Sequence, residues 1–123
     1  MINFWSYKKE YQKYRYKFLR KIDQTLLRGN IFFGNELDKF EKKFRLTYKS
    51  KYGSAVGSGT DALLIALKSI DIKKGDEVIT ASNTAIPTIS AIINSGAIPK
   101  LVDIRDDYLI DCSKIEKTIT KKT

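Results

Sequence analysis

Aromatic and aliphatic residues recur at three-to-four spacing through Phe4, Tyr7, Tyr11, Tyr14, Phe18 and Ile22, with lysines and arginines between them. That spacing predicts one amphipathic helix over residues 4–28, closed by Gly29, where a left-handed residue is tolerated. Asn30-Ile31-Phe32-Phe33-Gly34 then forms an apolar stretch between two glycines. Left open to water it would be a liability, so it is expected to tuck under a neighbour or a second subunit. Asn35 reads as an N-cap with Glu36 and Asp38 in the first turn, opening a helix that shows Leu37, Phe40, Phe44 and Tyr48 to one side and fades near Ser50.

From residue 52 the period changes, and short strands alternate with helices, the pattern of a parallel sheet. Tyr52 to Gly57 reads as a first strand, Ser58-Gly59-Thr60-Asp61 as a turn, and Ala62 to Leu67 as an apolar helix. After the turn Lys73-Lys74-Gly75-Asp76, residues Glu77 to Ala81 form the second strand. Thr84 to Ser95 is the second helix of this part, with Pro87 in its first turn, where a missing N–H breaks no intrahelical bond. Gly96 ends it, Lys100 to Ile104 is a third strand, and Ser113-Lys114-Ile115-Glu116 is a capping box opening a last helix. The fold class is therefore α/β, an incomplete parallel sheet with flanking helices, preceded by a helical segment.

Composition narrows the chemistry more than the class. Of 123 residues, 42% are hydrophobic and 30% charged, a globular balance rather than that of a disordered tail. No apolar run approaches the roughly 20 residues of a membrane span, and Lys8 and Lys9 follow the start instead of a signal core, so a cytoplasmic location is expected. One cysteine, Cys112, and no histidine disfavour a zinc site and a histidine-based triad. The net charge of +9 lies entirely in residues 1–52, with 14 basic against 5 acidic residues, while residues 53–123 carry 9 of each. Basic residues interleaved with Trp5, Tyr7, Tyr11, Tyr14 and Tyr16 are compatible with single-stranded nucleic acid. The one-sided spacing of the same aromatics favours a packing face, and a basic surface also attracts an anionic small substrate.

The candidate chemistry sits at Ser58-Gly59-Thr60-Asp61, between strand and helix. There, successive N–H groups and the positive end of the helix dipole can hold a phosphate. Gly59 permits close approach and the Thr60 hydroxyl adds a donor. Neither a Gly-x-Gly-x-x-Gly fingerprint nor a Gly-Lys-Ser/Thr loop is present. Read alone, the junction is a phosphate cradle or a plain N-cap turn. Asn83 and Thr84 similarly read as ligand contacts or as a helix cap.

Four linked stretches carry more than any one of them: Tyr52 to Leu63, Lys74 to Ile79, Asn83-Thr84-Ala85-Ile86-Pro87-Thr88, and Gly96 to Ile104. Their order and spacing resemble the amino-terminal part of the DegT/StrS group of sugar-nucleotide aminotransferases, pyridoxal-phosphate enzymes of the aspartate-aminotransferase fold. The resemblance runs over about residues 25–123. It implies that Gly59, Thr60 and Asp61 receive the phosphate of pyridoxal 5′-phosphate and that Asn83, Thr84 and Ala85 pass the cofactor ring. Many members place an aromatic at the Ala85 position to stack on the ring; the alanine here removes that role. Asn30 to Gly34 matches a stretch beside the active-site mouth of such homodimers.

The resemblance also implies what is missing. The lysine that binds the cofactor covalently and the aspartate that protonates its ring lie beyond the position of Thr123 in this family, so no catalytic residue is assigned. Residues 1–34 then form an amino-terminal helix and apolar loop, and residues 35–123 the first part of a fold type I cofactor-binding large domain. In that domain the first strand lies apart from the next two, so the sheet here leaves edges and apolar faces open. The expected reaction of the intact enzyme converts a keto group on a nucleoside-diphosphate deoxysugar to an amine with an amino acid as donor, with members acting on 3-keto-6-deoxy sugars favoured. A non-catalytic remnant that binds a phosphate ligand or a partner subunit is the alternative; a basic nucleic-acid-binding protein is a weaker one.

Overall fold

The computed structural model describes residues 6–29 and 31–123. It contains helix α1 (Lys8–Leu27), helix α2 (Asn35–Thr47), helix α3 (Gly59–Ser69), strand β1 (Glu77–Ala81), helix α4 (Ile86–Ser95), strand β2 (Ile98–Val102) and helix α5 (Cys112–Thr118). These fall into two units, Met1–Ala55 and Val56–Thr123.

In the first unit α1 follows the predicted periodicity; Phe4 and Trp5 lie outside the described residues, as does Asn30. Gly29 takes the left-handed conformation at φ 71° and donates its N–H to the Leu26 carbonyl at 3.0 Å, ending the helix as expected. Asn35 is not the N-cap of α2. That position belongs to Gly34, in extended conformation, and Asn35 is the first helical residue. Glu36 is instead the ionic hub of this unit, 2.7 Å from Lys21, 3.3 Å from Lys39 and 3.6 Å from Arg28. The Lys21 and Lys39 ammonium groups, Lys21 foremost, hold its carboxyl below the usual glutamate range. Phe40, Phe44 and Tyr48 stack along α2 at centroid separations of 5.9 and 4.5 Å. Phe32 and Phe33 are 82% and 91% exposed, so the apolar stretch finds no cover among the described residues of this unit.

Residues 52–57 do not form the predicted strand. A strand needs a ladder partner, and none of the described residues supplies one; the Ala55 N–H goes to the Glu41 carboxylate at 2.8 Å. The sheet accordingly has two strands, β1 and β2, parallel and in register Glu77↔Ile98 through Ala81↔Val102. β2 begins two residues earlier than the alternation predicts, because Ala97 follows the turn at Gly96 directly into the ladder. Gly96 stands at φ 97°, its N–H bonded to the Ile93 carbonyl at 3.0 Å and the next N–H, of Ala97, to Ile92 at 3.2 Å. This pair of bonds closes α4 on the left-handed glycine.

The apolar core is small: Ala91 and Ile92 on α4, Ala97, and Val102 on β2, with Ser95 buried beside them and bonded to the Ile92 carbonyl at 2.7 Å. The capping box at Ser113 and Glu116 does not form. Asp111 is the N-cap of α5, accepting the Ser113 N–H at 3.0 Å and its hydroxyl at 2.6 Å. Those bonds lower the Asp111 pKa. The last helix ends at Thr118, and Ile119 turns extended.

Candidate functional site

The topology sets two turns at one end of the sheet. α4 leaves the carboxyl end of β1 and returns to the amino end of β2. α3 packs on α4 and reaches the amino end of β1 through residues 70–76, so it runs in the same direction. Both helices therefore start at the carboxyl ends of the strands, where ligands sit in open α/β sheets.

At the start of α3, Ser58 is extended, with φ −158° and ψ 166°. Its hydroxyl accepts the Asp61 N–H at 3.1 Å and donates to the Asp61 carboxylate at 2.8 Å. The Ala62 N–H is bonded to the Ser58 carbonyl at 3.0 Å. That leaves the N–H groups of Gly59 and Thr60, and the Thr60 hydroxyl, without a hydrogen bond among the described residues. A Cβ built on Gly59 meets nothing within 4 Å, so the approach is open. Two free N–H groups, one hydroxyl and a helix amino terminus suit the donor needs of a phosphate. Asp61 differs from its neighbours: its N–H is engaged and its carboxylate is an acceptor, so it supports the turn by holding Ser58. A Ser-x-x-Asp spacing ahead of an apolar run is the sequence signal that corresponds to this pairing.

The second turn is held differently from a simple cap. The Asn83 amide donates to the Tyr108 carbonyl at 3.1 Å, tying this loop to the turn after β2, where Tyr108 sits at φ 63°. No local pattern links those positions, 25 residues apart. The Thr84 N–H bonds to the Ala81 carbonyl at 3.1 Å and its hydroxyl donates to Thr88 at 2.9 Å. Ala85 is the N-cap of α4 and makes no side-chain cap bond, so its exposed methyl is all it offers a ligand.

The family model of the DegT/DnrJ/EryC1/StrS aminotransferases matches residues 12–123. The chain belongs to this family. A dTDP-3-amino-3,6-dideoxy-alpha-D-galactopyranose transaminase of Aneurinibacillus thermoaerophilus is 40% identical across all of this chain and 34% of its own length. Among solved structures, S. venezuelae DesV superposes with a TM-score of 0.93 at 34% identity, over 99% of this chain and 33% of that one. NtdA from Bacillus subtilis, solved with bound cofactor PMP, superposes with a TM-score of 0.82 at 37% identity, over 85% of this chain and 24% of that one. The chain thus spans between about a quarter and about a third of the length of these relatives. At these identities the DegT-family fold assignment and the incomplete parallel sheet agree.

Proposed function

We propose that this chain is the amino-terminal part of a pyridoxal-phosphate-dependent aminotransferase that converts a nucleoside-diphosphate keto-deoxysugar to an aminosugar, with an amino acid as donor. The observation that carries the reading is the set of unpartnered donors at Gly59 and Thr60, in a chain of this family. The two N–H groups and the Thr60 hydroxyl bind the cofactor phosphate, and Asp61 orients the turn through Ser58. Asn83 and Thr84 place the second turn beside the cofactor ring, and Ala85 leaves one side of that ring without an aromatic lid. Bound pyridoxal phosphate supplies the electron sink that transamination requires. The covalent lysine and the ring-protonating aspartate lie outside these residues. Residues 35–123 begin the cofactor-binding domain, residues 1–34 are its lead-in, and the apolar Ile31-Phe32-Phe33 lies in the interface of a cytoplasmic homodimer.

Titrating the isotope-labelled chain with pyridoxal 5′-phosphate tests the cradle. The Gly59 and Thr60 amide resonances should shift, and Thr60→Val should weaken binding about tenfold, the loss of roughly one hydrogen bond to a charged group. Equal binding by the variant refutes the assignment. With L-glutamate, cofactor and a dTDP-3-keto-6-deoxy sugar, this chain alone should release no 2-oxoglutarate; release would refute the placement of the lysine outside it.

A further inference from the structure

Helix α1 carries two faces where folding needs one. An α-helix turns about 100° per residue, so Tyr11, Tyr14, Phe18 and Ile22 share one side, the packing face that their spacing predicts. On the same wheel Lys9, Lys13, Tyr16, Arg20 and Leu27 fall within an arc of about 60°, centred roughly opposite that face. They line about 27 Å of helix, since each residue rises about 1.5 Å. Helix α2 does not cover this side: Glu36 meets α1 at Lys21 and Arg28, about a quarter-turn away.

This second face differs from an ordinary solvated one. Tyr16 and Leu27 stand 79% and 80% exposed, more than any other large apolar residue of the helix. Neither belongs to the packing face, yet both interrupt a row of cations. Lys9, Lys13 and Arg20 form no ion pair among the described residues, although Lys13 lies over the neighbouring Tyr14 ring, 5.2 Å from its centroid. The helix as a whole has seven basic residues against two acidic ones, Glu10 and Asp23, and both acids fall outside the arc. Cations set around a tyrosine and a leucine suit a phospholipid headgroup layer: the cations meet phosphates, the phenol sits at the polar boundary, and the leucine enters the acyl region. Single-stranded nucleic acid fits less well. Stacking needs a succession of aromatic platforms, and Tyr16 is the single aromatic residue within the arc, while Tyr11, Tyr14 and Phe18 lie on the opposite side.

We infer that Lys9, Lys13, Tyr16, Arg20 and Leu27 form a docking surface for a bilayer rich in anionic phospholipid, along which α1 lies in the plane of the headgroups. The association is peripheral, because no helix among the described residues is long and apolar enough to cross a membrane. Since the ridge faces away from Phe18 and Ile22, packing of those side chains against protein does not consume it. The inference is independent of the cofactor assignment, as it uses side chains of α1 alone.

The test is sedimentation of this chain with vesicles of phosphatidylglycerol and phosphatidylcholine, at low and at high salt, against vesicles of phosphatidylcholine alone. At low salt the mixed vesicles should bind at least about tenfold more tightly, and high salt should release the chain. Lys13→Gln combined with Arg20→Gln should weaken binding about 25-fold, or about fivefold for each cation held at the surface. Leu27→Ala should weaken it at least about threefold through lost apolar contact. Ile22→Ala, on the opposite face, should leave binding within about twofold. Glutamine and alanine are good helix formers, so far-UV circular dichroism should show the same helix content in every variant. Equal binding to the two kinds of vesicle would overturn the proposal. A greater loss from Ile22→Ala than from Leu27→Ala would overturn it too, by putting the contact on the packing face. Tighter binding to a single-stranded oligonucleotide than to the mixed vesicles would do the same and assign the ridge to nucleic acid.

Discussion

Replacing Gly59 with alanine separates two roles that share one residue. Gly59 is the first residue of α3, its backbone is not in the left-handed region, and an added Cβ meets no atom within 4 Å. The methyl therefore introduces no clash, while the unfolded chain loses the extra freedom of glycine. The folded state should gain about 0.4–1 kcal/mol, at the lower end because the first helical turn is less demanding than the interior. The open space that makes the substitution harmless to the fold is also the space through which a phosphate would reach the Gly59 and Thr60 N–H groups. Holding the anion a few tenths of an ångström farther away should cost at least about 1.4 kcal/mol of binding, or tenfold in affinity. Urea unfolding gives the first quantity and a titration with pyridoxal 5′-phosphate, read at the Thr60 amide, gives the second. Stability and affinity should move in opposite directions. An affinity equal to that of the unmodified chain refutes close approach at Gly59, and a loss of stability refutes the open-space reading.

Other substitutions probe the frame around this turn. Ser58→Ala removes both the cap on Asp61 and the carboxylate's donor, and should cost about 1 kcal/mol in urea unfolding. Ile92, 2% exposed, is the large residue at the centre of the small core, so Ile92→Ala should cost about 2–5 kcal/mol. Gly96→Ala should cost about 1–2 kcal/mol from the left-handed backbone alone, because its Cβ would make only ordinary contact with Lys74, at 3.6 Å. Acid should destabilise the fold through three carboxylates. The Thr120 hydroxyl lowers the pKa of Glu77, Lys21 that of Glu36, and the Ser113 hydroxyl that of Asp111. Groups depressed on folding stabilise above their unfolded values, and that contribution fades as pH falls through the lowered folded ones. Urea midpoints measured from pH 6 downward should fall across the carboxylate range, and Glu77→Gln should flatten that fall.

Much of the local architecture is legible in single residues. The spacing of Tyr7, Tyr11, Tyr14, Phe18 and Ile22 sets α1, Gly29 and Gly96 mark helix ends because glycine takes φ near 71° and 97° cheaply, and Pro87 sits where α4 needs no N–H. The turn at Ser58 to Asp61 is legible as a phosphate cradle or a plain N-cap turn, while the Ser58–Asp61 pair that holds it is seen only in the fold. The misreadings share a cause. Tyr52 to Gly57 has strand composition, yet a strand is completed by hydrogen bonds to another segment, and none is present among the described residues. Ser113 and Asp111 are both competent caps, and which one serves depends on how residues 103–111 fold back. The Asn83–Tyr108 bond joins distant positions with no mutual pattern.

What the sequence by itself determined is therefore what nearest neighbours decide: helix faces, stops, first-turn chemistry, and the order of motifs that marks the family. Only the tertiary structure decided which segments complete a ladder and which do not. That distinction lies in the register of the sheet, which pairs β1 with β2 and leaves residues 52–57 outside it. Backbone hydrogen bonds are the same for every residue but proline, so their partners leave almost no trace in composition or periodicity and become visible only when the chain is folded.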